Sequence, residues 1–379
     1  MRILIFTQQL ASFRSGVGTY AYGLITGLQA LKHQITVVVP EKEEVKTLDL
    51  RMRTVTVPRF DPTPGGWFSL GIAFAKILQK EAANYDIAFF TDARETWYVR
   101  RSPIPVIGMV NDSYALDWYE STYPREIFAD RGSRSLYYRS LRWLEKYAYS
   151  RLNALTVNSN YVALKLTNGY HIASDRIHVI YIGIANQRPD KPIPLSGFPS
   201  ILFVGNNFQR KGLLTLLQAA SLLKSRFPHI CIHVAGKDKN HQKLVAQAHK
   251  IGIIEAVVFH GWQPNTKVRA MMAGADIFAL PSFTEGFGLV YLEAMQVGTP
   301  VIATSKGGAK EVLVSDKEVI FIDPGDIDGL AAAVASIAAD PEIAARLSKE
   351  GRDAVRRFSI DTMAKNTESV LLKAITSGI

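Results

Sequence analysis

The chain has 379 residues, of which 47% are apolar and 21% are charged, and this composition excludes a disordered, collagen-like or coiled-coil protein. The length favours two domains, and the one cysteine, Cys231, excludes an internal disulfide. Lysine and arginine outnumber aspartate and glutamate by 44 to 34, which favours anionic partners such as nucleotides, acidic glycans or anionic lipid surfaces. The charge is spread along the chain and no RNA-binding motif is present, so we expect no nucleic-acid partner.

Short apolar, β-branched runs alternate with segments of helical periodicity in the first half of the chain. We predict strands at Ile3–Phe6, Ile35–Val39, Thr54–Val57, Asp86–Phe90, Pro105–Val110, Ala154–Val157 and His178–Ile180. Continuous apolar runs between helices indicate βαβ units, whose parallel sheet is covered on both faces.

The alternation is interrupted by Asn186–Pro199, which has four prolines in fourteen residues and which we interpret as a linker. It then resumes, with strands predicted at Ser200–Gly205, His229–Gly236, Ala256–Gly261, Asp276–Pro281, Pro300–Thr304 and Val319–Asp323. The tail from Pro341 has helical periodicity and no strand. We therefore predict an α/β protein with two Rossmann-like parallel-sheet domains, at residues 1–185 and 200–360, joined by the linker 186–199.

The N-terminal sequence MRILIFTQQL is too short and too polar downstream for a signal peptide. No window contains the roughly 18 apolar residues of a membrane span. We expect a cytoplasmic protein, either soluble or peripheral at the inner face of the membrane.

Ligands of open parallel sheets bind outside the carboxyl ends of the strands, so the residues after each strand bear on function. After the first strand, Gly16 and Gly18 lie where a helix begins and allow backbone N–H groups to approach an anion. Position 21 is alanine, so the dinucleotide fingerprint is incomplete and a tight turn is the favoured interpretation.

Arg210 and Lys211 follow the strand that ends at Gly205 and precede a helix. Arginine binds a diphosphate bidentately, and lysine adds a point charge. The alternative is a solvated helix N-terminus, but the helix dipole disfavours cations there. The pair therefore favours an anionic ligand.

The segment Pro281–Thr304 contains a strand end, a glycine-flanked turn and a helix. Glu285 and Glu293 are separated by two helical turns, about 11 Å, and can therefore contact two parts of one extended ligand. The amides of Phe287, Gly288 and Leu289 lie at the helix N-terminus, where they can hold a phosphate or a sugar hydroxyl. Glu293 lies among apolar residues, so we predict that it is partly buried and has a partner.

This segment resembles the Glu-x7-Glu signature of the retaining, nucleotide-sugar-dependent glycosyltransferases of the group 1 or family 4 type. Further motifs follow the order of that family over nearly the whole chain: Gly16–Gly18, Val157–Leu166, Ile177–Ile184, Arg210–Gly212, His260–Pro264 and Thr304–Leu313. The resemblance implies a GT-B fold, in which two Rossmann-like domains face each other across a cleft. It also implies that the C-terminal helix 361–379 crosses back onto the N-terminal, acceptor-side domain.

The resemblance assigns a role to each matching residue. Arg210 and Lys211 stabilise the departing diphosphate, Glu285 contacts the donor sugar and the phosphate, and Glu293 accepts hydrogen bonds from the ribose. The implied donor site further includes Gly16, Gly18, Gly205, Gly261, Trp262, Phe287, Gly288 and Leu289, with Gly261 and Trp262 near the base.

Asn111 departs from the family pattern, because many relatives carry a histidine there, whereas the following Asp112 is retained. Asparagine can bond a sugar hydroxyl but cannot shuttle a proton. A different sugar, a different acceptor and a catalytically weak enzyme all remain open.

The resemblance implies front-face displacement, in which the departing phosphate oxygen takes the acceptor proton. That chemistry depends on stabilising the leaving group, and Arg210 and Lys211 would do so without a metal. We expect no cofactor, because the sequence has no HExxH motif or Cys/His cluster. The DxD at Asp326–Asp328 opens a predicted helix and is interpreted as a cap.

The acceptor side is less defined, and we expect a glycan or lipid-linked acceptor. Candidate contacts that follow strand ends are Asp92, Arg94, Asp117, Tyr119 and Glu120. Arg125–Arg151 holds seven basic and three acidic residues interleaved with aromatic ones, and such a helix can rest on anionic lipid. The favoured alternative is an amphipathic helix packed on the sheet with its arginines in water.

We predict transfer of a hexose-type sugar from a UDP- or GDP-sugar with retention of configuration. Two alternatives stay open: a nucleotide-sugar epimerase on the same fold, and a non-catalytic subunit that binds nucleotide sugars or glycans.

Overall fold

The computed structural model describes residues 1–10, 16–40, 53–57, 66–112, 115–116, 131–185 and 191–376. These residues divide into two compact units. The first unit runs to Ala185 and includes the chain again from Phe358, and the second ends at Arg357. Each unit contains one parallel sheet.

The described part of the chain forms thirteen strands and twelve α-helices. The strands are β1 Arg2–Phe6, β2 Gln34–Pro40, β3 Arg53–Val57, β4 Ile87–Phe90, β5 Val106–Val110, β6 Ala154–Val157, β7 Ile177–Val179, β8 Ser200–Val204, β9 Cys231–Ala235, β10 Val257–Gly261, β11 Ile277–Leu280, β12 Val301–Thr304 and β13 Ile320–Ile322. The helices are α1 Gly16–Ala30, α2 Gly66–Glu81, α3 Arg131–Ser150, α4 Asn160–Lys165, α5 Leu213–Leu223, α6 His241–Lys250, α7 Asn265–Gly274, α8 Leu289–Val297, α9 Ala309–Val312, α10 Ile327–Ala339, α11 Pro341–Val355 and α12 Ile360–Thr376.

Every strand predicted from the sequence is present, and the predicted fold class is confirmed. The reason is visible in the first strand, where all four residues of Ile3–Phe6 are fully buried. A strand in the middle of a parallel sheet is covered by helices on both faces, so it requires an uninterrupted apolar run. That requirement is what made the strands recognisable.

The two sheets share one strand order. The first is β3-β2-β1-β4-β5-β6-β7 and the second is β10-β9-β8-β11-β12-β13. In each, the order reverses direction beside the first strand, between β1 and β4 and between β8 and β11. Parallel sheets bind ligands at such a switch point, outside the carboxyl ends of the strands.

The proline-rich segment is attached to the second unit. Asn186–Asp190 lie outside the described residues, but Ile193 N–H donates to Ala270 O at 2.8 Å, and Phe198 N–H donates to His229 O at 2.8 Å. Residues 191–199 are therefore bonded along the second unit and are not a free spacer.

The DxD sequence is a helix cap, as predicted. Asp326 Oδ1 accepts a hydrogen bond from Gly329 N–H at 2.8 Å, at the start of α10. The carboxylate thereby satisfies a backbone donor that the first helical turn leaves without a partner.

Among the described residues, no helix has the length and apolar character needed to cross a bilayer.

The C-terminal helix α12 packs against α1 within the first unit, and two glycines of α1 differ in the room available there. A Cβ on Gly27 would lie 2.6 Å from Ala364 Cβ, whereas a Cβ on Gly23 would lie 3.5 Å from its nearest neighbours, on Ile360 and Met363. The contact at Gly27 therefore requires a residue without a side chain.

We expect Gly23→Ala and Gly27→Ala to change stability in opposite directions. Each gains about 1 kcal/mol of helix propensity, but only Gly27→Ala overpacks the α1–α12 contact, at a cost of about 1–3 kcal/mol. Thermal unfolding of both variants beside the parent checks this, with Gly23→Ala as the matched control. Equal shifts for the two variants would contradict the packing.

Candidate functional site

The loops that follow β8 and β11 are bonded to each other at the switch point of the second sheet. Phe283 N–H donates to Arg210 O at 2.9 Å, and Arg210 Nη1 donates to Thr284 O at 3.2 Å. Beside these bonds, the ammonium of Lys211 forms an ion pair with the Glu285 carboxylate. Arg210, Lys211 and Glu285, which the sequence predicted as site residues, therefore lie together in one cluster.

The ion pair of Lys211 and Glu285 is largely withdrawn from water, with 13% and 8% of the two side chains exposed. Ser282 Oγ also donates to Glu285 Oε1, at 2.8 Å. Burial alone would raise the pKa of Glu285, but the positive charges of Lys211 and Arg210 and the two hydrogen bonds outweigh it and hold that pKa below its ordinary value. The Glu285 carboxyl is consequently ionised at neutral pH.

A glycine allows the two loops to approach this closely. Gly212 has φ = 77°, in the left-handed region, and a side chain there would overlap the carbonyl of Pro281. Only glycine can adopt this positive φ and leave room for the carbonyl without strain. Gly205 lies beneath the alkyl chain of Lys211, and a Cβ there would stand 3.4 Å from Lys211 Cγ.

The turn predicted to hold a phosphate or sugar hydroxyl leads into α8. Gly288 caps the helix with φ = 87°, Leu289 is its first residue, and Phe287 is buried. Tyr291 fixes the helix to two strand ends, because its hydroxyl donates to Leu280 O at 2.7 Å and accepts from Thr304 N–H at 3.3 Å. The amides at the start of α8 thus have a fixed place relative to β11 and β12.

Glu293 is buried and has a partner, as predicted, but the partner was not identified from the sequence. Arg269 of α7, also buried, places Nη2 3.7 Å from Glu293 Oε1. Burial raises the pKa of Glu293 above its ordinary value, and Arg269 opposes that increase. A recognisable signal was available, because Arg269 stands among apolar residues of α7, where an unpaired cation would be costly.

Gly261 and Trp262 lie where β10 ends. Gly261 O accepts from Gly236 N–H at 2.8 Å, and Trp262 is exposed. The preceding His260 contacts His233 of β9, with Nε2 and Nδ1 3.0 Å apart. On its other side, His233 Nε2 donates to Ser196 O at 2.9 Å. Burial and the neighbouring His233 lower the pKa of His260.

Four of the predicted site residues lie in the first unit. Gly16, exposed, and Gly18, buried, open α1. Asn111, directly after β5, donates from Nδ2 to Thr91 O at 2.9 Å, and Asp112 beside it is half-buried. This bond uses one of the two amide hydrogens of Asn111 and leaves the other hydrogen and the acceptor Oδ1 outside it.

Two of the candidate acceptor contacts bind each other. Arg94 Nε and Nη2 both donate to the buried Asp92 carboxylate, the latter at 2.5 Å. Close by, the buried Glu145 of α3 accepts from the Tyr170 hydroxyl, and burial raises the pKa of Glu145 to about 7. Asp117, Tyr119 and Glu120 lie outside the described residues.

No group of three or more His, Cys, Asp or Glu side chains in the described ranges is arranged to hold a metal ion.

Two family models match the chain and together extend from residue 14 to residue 354. Glycosyltransferase Family 4 matches residues 14–188, and Glycosyl transferases group 1 matches residues 186–354. The chain belongs to the group 1 / family 4 glycosyltransferases.

The similar proteins include enzymes that act on different molecules. Glycogen synthase of Mycobacterium tuberculosis is 34% identical over 182 residues, 48% of this chain and 44% of that one. The GDP-mannose-dependent alpha-(1-6)-phosphatidylinositol monomannoside mannosyltransferase of Mycolicibacterium smegmatis is 32% identical over 187 residues, 48% of each chain. The chain thus spans about half the length of these curated relatives.

A solved structure supports the GT-B fold for this glycosyltransferase. HepE of Anabaena, solved with UDP and glucose, has a TM-score of 0.75 at 18% identity, covering 98% of this chain and 100% of that one. The predicted GT-B architecture is confirmed, and at this identity the likeness concerns the fold alone.

We expect Arg269→Met to destabilise the protein by about 3 kcal/mol at pH 7, because it leaves the Glu293 carboxylate buried without its cation. The loss should shrink as the pH falls toward 5: a carboxyl whose folded pKa lies above its unfolded value stabilises the protein at low pH and loses that contribution as the pH rises. Denaturant unfolding at both pH values measures it.

The double variant Arg269→Met/Glu293→Gln is the control for this pair. It removes the buried charge as well and should recover most of the lost stability. A double variant as unstable as the sum of the two single variants would show that the residues act independently.

Proposed function

We propose that this glycosyltransferase moves a hexose-type sugar from a UDP- or GDP-sugar to a glycan or lipid-linked acceptor, with retention of configuration. The observation that carries the proposal is the cluster of Arg210, Lys211 and Glu285 where β8 and β11 end. Two cations against one carboxylate leave a net positive charge, which suits the diphosphate of a nucleotide sugar.

The cluster is suited to stabilising a leaving group. The bond from the anomeric carbon to the diphosphate oxygen breaks, and negative charge grows on that oxygen. Lys211 is already held in place by Glu285, so its charge needs no reorganisation when the oxygen departs. Arg210 provides a second donor of fixed geometry.

The remaining steps of the reaction involve the acceptor and need no protein base. The departing phosphate oxygen takes the proton of the acceptor hydroxyl while that hydroxyl oxygen bonds to the anomeric carbon on the same face. Asn111 cannot take a proton, but its Oδ1 can accept a hydrogen bond from a sugar hydroxyl. The two cations supply the charge that a metal would otherwise supply, so we propose that the reaction is metal-independent.

The nucleoside is proposed to bind beside the diphosphate. Glu293 accepts hydrogen bonds from the ribose hydroxyls, and Arg269 favours the ionised form that accepts them. The exposed Trp262 provides a face for the base. The relatives support this class of donor, since one is named for GDP-mannose and another was solved with UDP.

We expect one nucleoside diphosphate among UDP, GDP, ADP and CDP to raise the melting temperature selectively, with or without magnesium. A ligand at a hundredfold excess over its Kd stabilises the folded state by about 2.7 kcal/mol. Lys211→Ala should weaken that binding about 10- to 100-fold, because a charged hydrogen bond to the phosphate is lost. Calorimetric titration measures the affinity.

Two further variants separate binding from folding. Lys243→Ala removes an exposed lysine of the same unit and should bind the nucleotide as the parent does. Lys211→Ala/Glu285→Gln leaves no buried carboxylate unpaired, so it should regain stability without regaining nucleotide affinity. Unchanged affinity in Lys211→Ala would overturn the diphosphate site.

We expect the product to have the anomeric configuration of the donor and the rate to survive excess EDTA. NMR of the first product formed reports the configuration, and inversion would overturn the proposed mechanism. Conversion of the donor sugar without an acceptor would instead identify an epimerase. Binding without turnover over a broad acceptor panel would identify a non-catalytic subunit.

A further inference from the structure

One face of α3 exposes apolar and aromatic side chains in a straight stripe. Residues spaced by four and three positions lie on one side of a helix, and here they are Leu136, Ser140, Trp143, Tyr147 and Ser150. Leu136 is 70% exposed and Trp143 is 66% exposed. We call these five residues the α3 stripe.

The packing of the helix relies mainly on its other side, because Leu136 and Trp143 of the stripe are largely exposed and Tyr147 is half-buried. The opposite side of α3 carries the residues that are buried in the first unit, Leu141, Leu144, Ala148 and Tyr149. The favoured sequence interpretation of α3, a helix packed on the domain, therefore describes the inner side only. It gives no reason for a leucine and a tryptophan on the outer side.

The aromatic residues of the stripe are already ordered. The rings of Trp143 and Tyr147 stack with centroids 5.5 Å apart and planes 14° from parallel. Arg151 places its guanidinium 4.9 Å from the centre of the Tyr147 ring. A preformed surface loses less conformational entropy on binding than a mobile one does.

Cations lie along one edge of the stripe, and the exposed described residues of α3 include no acid. Arg139, Arg142 and Lys146 are exposed, whereas Glu145, the acidic residue in this part of the helix, is buried. Arg151 donates from Nη2 to Arg100 O at 2.7 Å, which brings the exposed Arg100 beside the end of the helix. The outer side of α3 thus carries an exposed leucine and a pair of aromatic rings, with positive charge along one edge.

We propose that the α3 stripe and its flanking cations dock this protein onto an anionic lipid bilayer. Tryptophan and tyrosine favour the boundary between headgroups and acyl chains, and Leu136 adds an aliphatic chain beside them. Arginine and lysine along the edge of the stripe meet anionic headgroups. This goes beyond the proposed transfer reaction, and its test does not depend on activity.

A bilayer fits the stripe better than a nucleic acid does. Single-stranded nucleic acids also pair cations with aromatic rings, but there the rings stand apart to receive bases, whereas Trp143 and Tyr147 stack on each other. An exposed leucine next to them offers nothing to a base or a phosphate.

Co-sedimentation of the full chain with vesicles tests the proposal. We expect binding to vesicles of phosphatidylcholine with phosphatidylglycerol and much weaker binding to phosphatidylcholine alone, with the difference decreasing as salt is added. Arg139→Gln/Lys146→Gln should lower the partition coefficient about thirtyfold, at about 1 kcal/mol for each cation near the surface. Leu136→Ser/Trp143→Ser should lower it more than tenfold.

Each variant of the stripe has a control that removes the same type of side chain elsewhere on the surface. Lys250→Gln/Lys349→Gln removes two exposed cations of the second unit, and Leu222→Ser removes an exposed leucine there; both should bind vesicles as the parent does. All the substitutions are at exposed positions, so unchanged melting temperatures show that the variants fold.

Fluorescence locates the contact. Brominated lipids in the anionic vesicles should quench the parent more than Trp143→Phe, because Trp143 belongs to the stripe that is proposed to meet the acyl chains. Equal quenching, equal binding of stripe and control variants, or no binding to anionic vesicles would each overturn the proposal. Binding of a single-stranded oligonucleotide that the stripe variants lose, without vesicle binding, would replace the bilayer by a nucleic acid.

Discussion

The pairing of Lys211 with Glu285 is the interaction on which the candidate donor site depends. It joins the loops after β8 and β11, two strands that are adjacent in the sheet but separated by more than seventy residues of chain. Burying two charges costs several kcal/mol for each, and their attraction offsets that cost only when further hydrogen bonds satisfy them. Ser282 donates one such hydrogen bond to Glu285, and the charge of Arg210 further favours the carboxylate. The pair itself is neutral, so the fixed positive charge at the switch point is that of Arg210 together with the ammonium that Glu285 holds in place.

The sequence was sufficient to predict the fold because the constraint on each strand is local. A strand buried on both faces has to be an uninterrupted apolar run, and β1, β8 and β11 could be recognised one at a time. The polar residues that follow strands were also recognisable, since parallel topology brings all strand carboxyl ends to one edge. Arg210, Lys211 and Glu285 were found in this way, without knowledge of which would touch.

Contacts between helices could not be predicted in the same way. Glu293 evidently needed a partner, but the candidates were every cation in the chain, and Arg269 is selected only by the packing of α7 on α8. The same limitation explains Asp92 and Arg94, whose position after a strand suggested ligand contacts. Their mutual bidentate pairing depends on side-chain geometry that spacing does not specify. For α3, periodicity predicted an amphipathic helix, but the exposure of each side chain was needed to show that its outer side combines exposed apolar residues with a cationic edge.

The two glutamates of the Glu-x7-Glu signature lie in surroundings that move their pKa values in opposite directions. Lys211 and Arg210 hold the pKa of Glu285 below its ordinary value, whereas burial raises that of Glu293 in spite of Arg269. Two carboxyls whose surroundings separate their pKa values in this way are suited to different tasks. Glu285 therefore stays ionised and holds the Lys211 ammonium in a fixed position. The charge of Glu293 is less well compensated. Hydrogen bonds donated by the hydroxyls of a ligand stabilise the ionised carboxylate, and the ionised carboxylate is the form that accepts those bonds. In the proposed function, the signature therefore combines one carboxylate that holds a cation before the donor binds with another that the hydroxyls of the donor stabilise.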